Sequence, residues 1–283
     1  MKAKFVKLLL EQISFKNDLE RIINKNILKI PKVPLSFLLS GGLDSSLILA
    51  LLRKANPNLP IMTFSLGTEN HADHINAKKM SKLFRTEHKE IILSSEEFNT
   101  FLVEFNKIKK SDFKGDINWY ILCSYAKTFS NIIVTGDGGD ECFGGYWLHQ
   151  YPLGHKETGF IKSFEEIHPR PKNHLENMIK LGFRDFYFKE KSDEEDYNSV
   201  WEYYIAMLGP EHIDVITYIA KSLGIIIYSP LCSDEIISFM RSLPYTERIN
   251  KKIERELALL YLPDYIIARE KLALNVALEN NSL

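Results

Sequence analysis

Nothing in this chain marks it for a membrane, for secretion or for a nucleic-acid backbone. No apolar run reaches the length that spans a bilayer. The N-terminus, MKAKFVKLLLEQISF, starts basic and turns apolar, but Glu11 and Gln12 end the run. No small-residue cleavage site follows, which argues against a signal peptide. Charge of one sign is also lacking: 36 basic and 37 acidic side chains give a formal net charge of −1, so no global basic field speaks for nucleic acid. Cysteines number three, and Cys123, Cys142 and Cys232 form neither a metal spacing nor an even disulfide framework. Such usage fits a cytoplasmic protein with reduced thiols. Internal repeats, low-complexity tracts and a Pro/Gly/Ser-rich linker are all missing. What remains is ordinary for a globular protein: 283 residues, 45% hydrophobic and 26% charged. That length allows one large domain or two small ones, with a sizeable core.

Hydrophobic periodicity predicts an N-terminal helix over residues 3–26, broken near Ser14, and Pro31 and Pro34 end it. Leu35 to Leu39, Ile61 to Leu66, Ile91 to Leu93 and Asn131 to Thr135 read as strands. Between them, Ser45 to Lys54, Ala77 to Phe84, Phe98 to Lys107 and Trp119 to Phe129 read as helices. This alternation predicts an α/β core with a parallel sheet. After residue 150 the pattern turns helical, at Tyr197 to Leu208 and Ile213 to Ser222, with one short strand at Ile225 to Tyr228. The charge cluster at 189–196 reads as a solvated loop or helix start. The expected organisation is one domain over 1–283: a helical segment at 1–33, an α/β core at 34–150, and a mostly helical region at 151–283.

The first strand runs into Ser40-Gly41-Gly42-Leu43-Asp44-Ser45-Ser46, which then opens a helix. Glycines let backbone approach an anion, and a helix N-terminus offers free N–H groups. The three serines can donate to phosphate oxygens. Asp44 cannot face phosphate directly, but it suits Mg²⁺, which bridges carboxylate and phosphate. A plain turn with a capped helix needs only one capping residue. The fourth strand runs into Gly136-Asp137-Gly138-Gly139-Asp140-Glu141-Cys142-Phe143-Gly144-Gly145-Tyr146, with five glycines in ten residues. Asp140 is placed to share a metal with Asp44, since carboxylates from adjacent strand ends suit a metal-bridged pyrophosphate.

The first loop is neither a Walker loop nor a GxGxxG turn. It resembles the SGGxDS loop of the N-type ATP pyrophosphatases, which cleave ATP between the α and β phosphates. The second loop, TGDGGDECFGGY, is similar to SGEGxDELFGGY of the asparagine synthetase family. Further likenesses follow in order: FSLG at 64–67, Asp73 and Ala77, His88, Pro230-Leu231-Cys232, Leu243-Pro244, Leu262-Pro263, and Ala268-Arg269-Glu270-Lys271. The resemblance implies an adenine-nucleotide α-hydrolase-like fold and an AMP-forming carbon–nitrogen ligase. It implies ATP and Mg²⁺, with Ser40, Gly41, Gly42, Asp44, Ser45, Ser46, Leu38, Ser65, Gly136 and Gly138 around the nucleotide. Asp44 and Asp140 would hold the metal. Lys271 would supply a mobile ammonium and Asp137 a base for the amine. Arg269 reads equally as a surface ion pair, His88 reads as a packed loop histidine ahead of a catalytic one, and Glu141 either supports a neighbouring site residue or is structural.

Asp137 stands where the family has Glu, Tyr228 where Arg is common, Ser233 where Asp is, and Cys142 where Leu is. The family's glutaminase domain begins with a nucleophilic Cys, whereas here Lys2 follows Met1 and the loop begins soon after. Ammonia or an amine is therefore expected free or from a separate glutaminase subunit, with an aspartate-like carboxylate as partner and room for a homo-oligomer. β-Lactam synthetases and lasso-peptide cyclases resemble the chain equally at these motifs. A non-catalytic ATP-binding subunit and a tRNA-modifying pyrophosphatase are the remaining alternatives.

Overall fold

The computed structural model describes residues 2–68, 70–110, 115–146, 149 and 193–269. Five parallel strands form one sheet: β1 (Leu35–Leu38), β2 (Ile61–Leu66), β3 (Glu87–Ile91), β4 (Ile132–Val134) and β5 (Ile226–Tyr228), in the spatial order β3-β2-β1-β4-β5. The α/β, parallel-sheet expectation holds. The winding reverses between β1 and β4, and ligands of open parallel sheets lie outside the carboxyl ends of strands at such a point. Both glycine loops leave from there.

β1 is buried at every position, as a strand covered on both faces must be. Its one polar residue, Ser36, donates its hydroxyl to the carbonyl of Ala126 at 2.7 Å. β3 differs from expectation. It spans Glu87–Ile91 rather than 91–93, because it is an edge strand whose side chains alternate between exposed and half-buried until the buried Ile91, so no apolar run marks it.

Helix α1 (Lys2–Ile27) runs unbroken through Ser14. One interior serine costs a helix little, and Leu19, Ile22, Ile23 and Ile27 keep a buried stripe beyond it. α2 (Leu43–Ala55) is buried almost throughout. α3 (Ala72–Leu83) starts five residues before its expected place, because Asp73 and His74 are buried polar residues that hide the apolar period. α4 (Ser95–Asn106) opens with a capping box between Ser94 and Glu97. α5 (Asp116–Ala126) and α6 (Gly139–Cys142) follow. The charge cluster reaches the described residues as the start of α7 (Asp193–Leu208); its residues 189–192 lie outside them. A π-helical turn at Gly209–Ile213 joins α7 to α8 (Asp214–Ser222). α9 (Asp234–Ser242), α10 (Tyr245–Arg248), a 3-10 turn (Ile249–Lys251), α11 (Lys252–Ala258) and α12 (Asp264–Ile267) complete the described residues.

One apolar cluster joins α1 and α2 to the C-terminal helices, reaching from Leu19 to Ile267. A second packs α4, α5 and α8 against the sheet. Helix layers therefore cover the sheet and leave the carboxyl ends of β1 and β4 as the place where loops gather. No described helix is long and apolar enough to cross a membrane.

Candidate active site

The first loop turns at Gly41, whose φ of +73° is a left-handed conformation. A Cβ there would stand 2.5 Å from the Ala77 nitrogen of α3, so only glycine fits. The Ser40 and Ser45 hydroxyls meet at 3.0 Å, and the Gly42 amide donates to Ser40 Oγ at 3.3 Å. No side chain caps α2, which removes the plain capping explanation of this loop. Ser46 Oγ is buried and has no hydrogen-bond partner among the described residues. Helix N-terminal amides, two paired hydroxyls and an unsatisfied one make a donor set suited to an anion.

The second loop lies directly on the first. A Cβ on Gly136 would come 2.6 Å from the Ser45 nitrogen, and one on Gly139 would come 2.5 Å from Asp44 Cγ. Gly138 packs against Cys232, whose thiol donates to the Asp137 carbonyl at 3.3 Å. The glycines expected to admit an anion thus also admit the neighbouring loop. Asp44 and Asp140 are brought together by this packing.

Between them stands Lys251, a residue the sequence reading did not single out. Its Nζ lies 2.5 Å and 2.6 Å from the two Asp44 oxygens and 2.7 Å from Asp140 Oδ1. Lys251 and Asn250 both adopt left-handed φ values, 58° and 52°, which tuck the lysine inward at the start of α11. Its amide donates to the Phe143 carbonyl at 3.0 Å, tying this turn to the second loop. Burial works against the charge, but Asp140 and then Asp44 outweigh it and hold the ammonium above the ordinary lysine range. Glu254, one helical turn on, is fully buried against Asp44 and Lys251. Burial, and then repulsion from Asp44, push its pKa well above the ordinary carboxylate range.

Two hard carboxylates converging on one cation suit Mg²⁺ as well as an ammonium. No group of three or more metal-ligating side chains exists among the described residues, so such an ion would take its remaining oxygens from substrate and water. The residues present fit Mg²⁺ on those terms.

The other expected residues fall in varied places. Asp137 is beside the site: Thr135 donates its hydroxyl to Oδ2 at 2.5 Å, and His212 Nε2 faces Oδ1 at 3.1 Å. Leu38 buries its side chain in the apolar cluster with α5. Ser65 is also interior, its hydroxyl 3.3 Å from both His74 Nδ1 and His88 Nε2. His88 is packed as expected, but within strand β3 rather than a loop. It lies 2.9 Å from Thr63 Oγ1, and burial pulls its pKa down to about 4. Arg269 is not a surface residue. It is mostly buried, pairs with Asp73 and donates to the Gly41 carbonyl at 3.1 Å. Glu141 accepts from the Tyr146 hydroxyl at 2.7 Å, so it shapes the wall. Ser233 caps α9 through the Ile236 amide. Lys271 lies outside the described residues.

A family model described as Asparagine synthase matches residues 28–283. The chain belongs to the asparagine synthase family. The expectation of an ATP-dependent ligase agrees with that membership. The glutamine-hydrolyzing asparagine synthetase of Gallus gallus is 35% identical over 126 residues, 41% of this chain and 22% of that protein. The glutamine-hydrolyzing asparagine synthetase of Homo sapiens is 31% identical over 150 residues, 48% of this chain and 27% of that protein. The likeness therefore spans about a quarter of each relative. Among solved structures, an NMN synthetase from Francisella tularensis is similar at 17% identity and a TM-score of 0.35, over 75% of this chain and 93% of that one.

Proposed function

We propose that this member of the asparagine synthase family forms amide bonds at the expense of ATP, through an acyl-adenylate. The observation that carries this reading is the cluster of Asp44, Asp140 and Lys251 at the uncapped start of α2. It sets a cation and two metal-ready carboxylates where strand ends of a parallel sheet bind ligands.

A substrate carboxylate attacks the α-phosphorus of ATP, and pyrophosphate leaves toward Ser40, Ser45, Ser46 and the α2 amides. Lys251 neutralises charge that grows on the phosphoryl oxygens, in a site where burial strengthens its field. Bound Mg²⁺, held by Asp44 and Asp140, would supply charge neutralisation between the phosphates. Arg269 fixes the Gly41 carbonyl and so the shape of the first loop. An amine, ammonia in the simplest case, then displaces AMP from the activated carboxylate. We take an aspartate-like acid as the carboxylate, with ammonia arriving free or from a separate glutaminase subunit, in the cytoplasm.

Incubation of the purified chain with ATP, Mg²⁺, ammonium and each of the twenty amino acids tests the reading. AMP and pyrophosphate should appear in the presence of the right carboxylate. ADP and orthophosphate as products would refute it.

A further inference from the structure

An ammonium shared by two carboxylates needs backbone that holds its lysine still. Asn250 and Lys251 are consecutive non-glycine residues in the left-handed region, with φ and ψ of 52° and 37°, then 58° and 32°. Side chains disfavour that region, and a run of two persists only where the surroundings impose it. On one side, the Lys251 amide donates to the Phe143 carbonyl of the second loop at 3.0 Å.

Arg255 of α11 supplies the other restraint. Its Nε donates to the Asn250 carbonyl at 2.9 Å. The rest of the guanidinium is spent on the end of α12 and the residues after it. Nη1 donates to the Ile267 carbonyl, and Nη1 and Nη2 reach the Arg269 carbonyl at 3.4 Å and 3.3 Å. All three nitrogens thus meet backbone carbonyls, drawn from two segments. A point charge cannot span such a set, whereas a planar fork can. The far segment has its own hold on the site: the Arg269 side chain pairs with Asp73 and donates to the Gly41 carbonyl at 3.1 Å. Arg269 is therefore tied through its backbone to the turn that carries the ammonium, and through its side chain to the first loop.

We propose that Arg255 is a positioning residue for Lys251: it braces the Asn250–Lys251 turn against the Ile267–Arg269 backbone and so holds the ammonium on Asp44 and Asp140. The proposal rests on the reaction set out above, in which Lys251 meets charge growing on the phosphoryl oxygens. The partners of Arg255 are carbonyls, so it acts on the chemistry only through the lysine it seats. Joining the helices does not require it, because Ile253 and Leu257 of α11 already share the main apolar cluster with Ile266 and Ile267 of α12. Arg255 also borders an open groove of about 540 Å³, with Asn250, Leu259 and Ile267 on its walls, so a shorter side chain there removes little packing.

Arg255→Lys keeps the charge and loses the fork. Acetic anhydride labelling of the folded protein, read residue by residue by mass spectrometry, should modify Lys251 severalfold faster in this variant, because the buried amine is released. Carboxylate-dependent ATP–pyrophosphate exchange, with whichever of the twenty amino acids the wild type activates, should lose about 10-fold or more in kcat, since a small displacement of a charge-stabilising group costs that much. KM for ATP should move far less, because the contact matters in the transition state. Added to Lys251→Met, Arg255→Lys should cost no more than about 2-fold further, as residues that act as a unit do not add. Urea unfolding checks that Arg255→Lys is folded. Should it not be, Arg255→Gln is read in the same way, and loss of folding in both would overturn the proposal, since Arg255 would then hold the fold. Wild-type labelling of Lys251, a wild-type kcat, or losses that multiply in the double variant would each overturn the role while leaving the reaction standing. A wild type that shows no exchange with any of the twenty would overturn the reaction, and the role with it.

Discussion

Replacing Lys251 by methionine keeps the length of the side chain and deletes one charge from a buried cluster. Asp44 and Asp140 both touch the same ammonium, at 2.5 Å and 2.7 Å, so without it two carboxylates face each other across about 5 Å. At an effective dielectric constant of about 20 their repulsion is about 3 kcal/mol. The alternative is protonation of one of them. Holding a carboxylate neutral at pH 7 costs about 4 kcal/mol, three units above its usual pKa. Both routes agree with the 3–5 kcal/mol typical of breaking a buried ion pair from one side.

The sign of the pH dependence differs between the two proteins. In the wild type the folded lysine pKa lies above its unfolded value. Its contribution is therefore complete below the unfolded value and is lost only as pH rises through the folded one. In the Met variant the crowded acids bind protons more tightly folded than unfolded, so stability returns as pH falls through the carboxylate range. Urea unfolding at pH 8 and pH 5 should show a deficit of about 3 kcal/mol at the higher pH, shrinking at the lower. ATP–pyrophosphate exchange should drop by about 10²-fold or more, the effect of losing a donor aimed at developing charge. A Met variant with wild-type stability at pH 8 and wild-type exchange would show that Lys251 neither holds the acids together nor meets the phosphates.

Asp44→Asn and Asp140→Asn should each raise the Mg²⁺ concentration needed for half-maximal exchange and cut its rate strongly, because each removes a hard ligand; a Mg²⁺ titration of either variant that overlays the wild type would exclude that residue as a ligand. Gly139→Ala should leave a folded protein with impaired exchange, since its Cβ would meet Asp44 Cγ at 2.5 Å and push that carboxylate aside; a fully active variant would mean the loops have slack. His88, held at about 4, stays neutral in the fold while the unfolded chain protonates near 6.5. Its stabilising contribution is present above that unfolded value and lost as pH falls toward 4, on the order of 2 kcal/mol after allowing for its partial exposure. Urea midpoints from pH 7 to 4 should fall more steeply in the wild type than in His88→Gln, and parallel curves would contradict this.

The parts of the fold legible in the sequence are those whose burial is continuous. β1, β2 and β4 are apolar runs closed by glycine or polar turns, and they emerged within a residue or two of their places. β3 did not, because an edge strand reading Glu-His-Lys-Glu-Ile carries no such run. The start of α3 was hidden by Asp73 and His74, which are buried for reasons of pairing and not of apolarity. Arg269 illustrates the same limit. A charged residue near the end of a chain reads as solvated until its partners, Asp73 and Gly41, are placed beside it.

Lys251 shows why a site can be half legible. Its neighbourhood, Ile249-Asn250-Lys251-Lys252, reads as a surface turn before a helix, and 207 residues separate it from Asp44. The resemblance assigns a mobile ammonium to Lys271, which lies outside the described residues, whereas no local motif announces the ammonium of Lys251. The acids were visible because local motifs carry them; the base that neutralises them was not, because only the tertiary structure sets it there. The same logic reinterprets the glycines. A Cβ on Gly139 would strike Asp44, and one on Gly145 would come 2.1 Å from Lys251 Cε and 2.3 Å from Asp140 Oδ1. Any of these would part the carboxylates, and one ammonium could no longer touch both. Gly139 and Gly145 are thus the two glycines of the second loop that the closeness of Asp44, Asp140 and Lys251 requires, since a side chain at either would enter the space where two like charges crowd around a single cation.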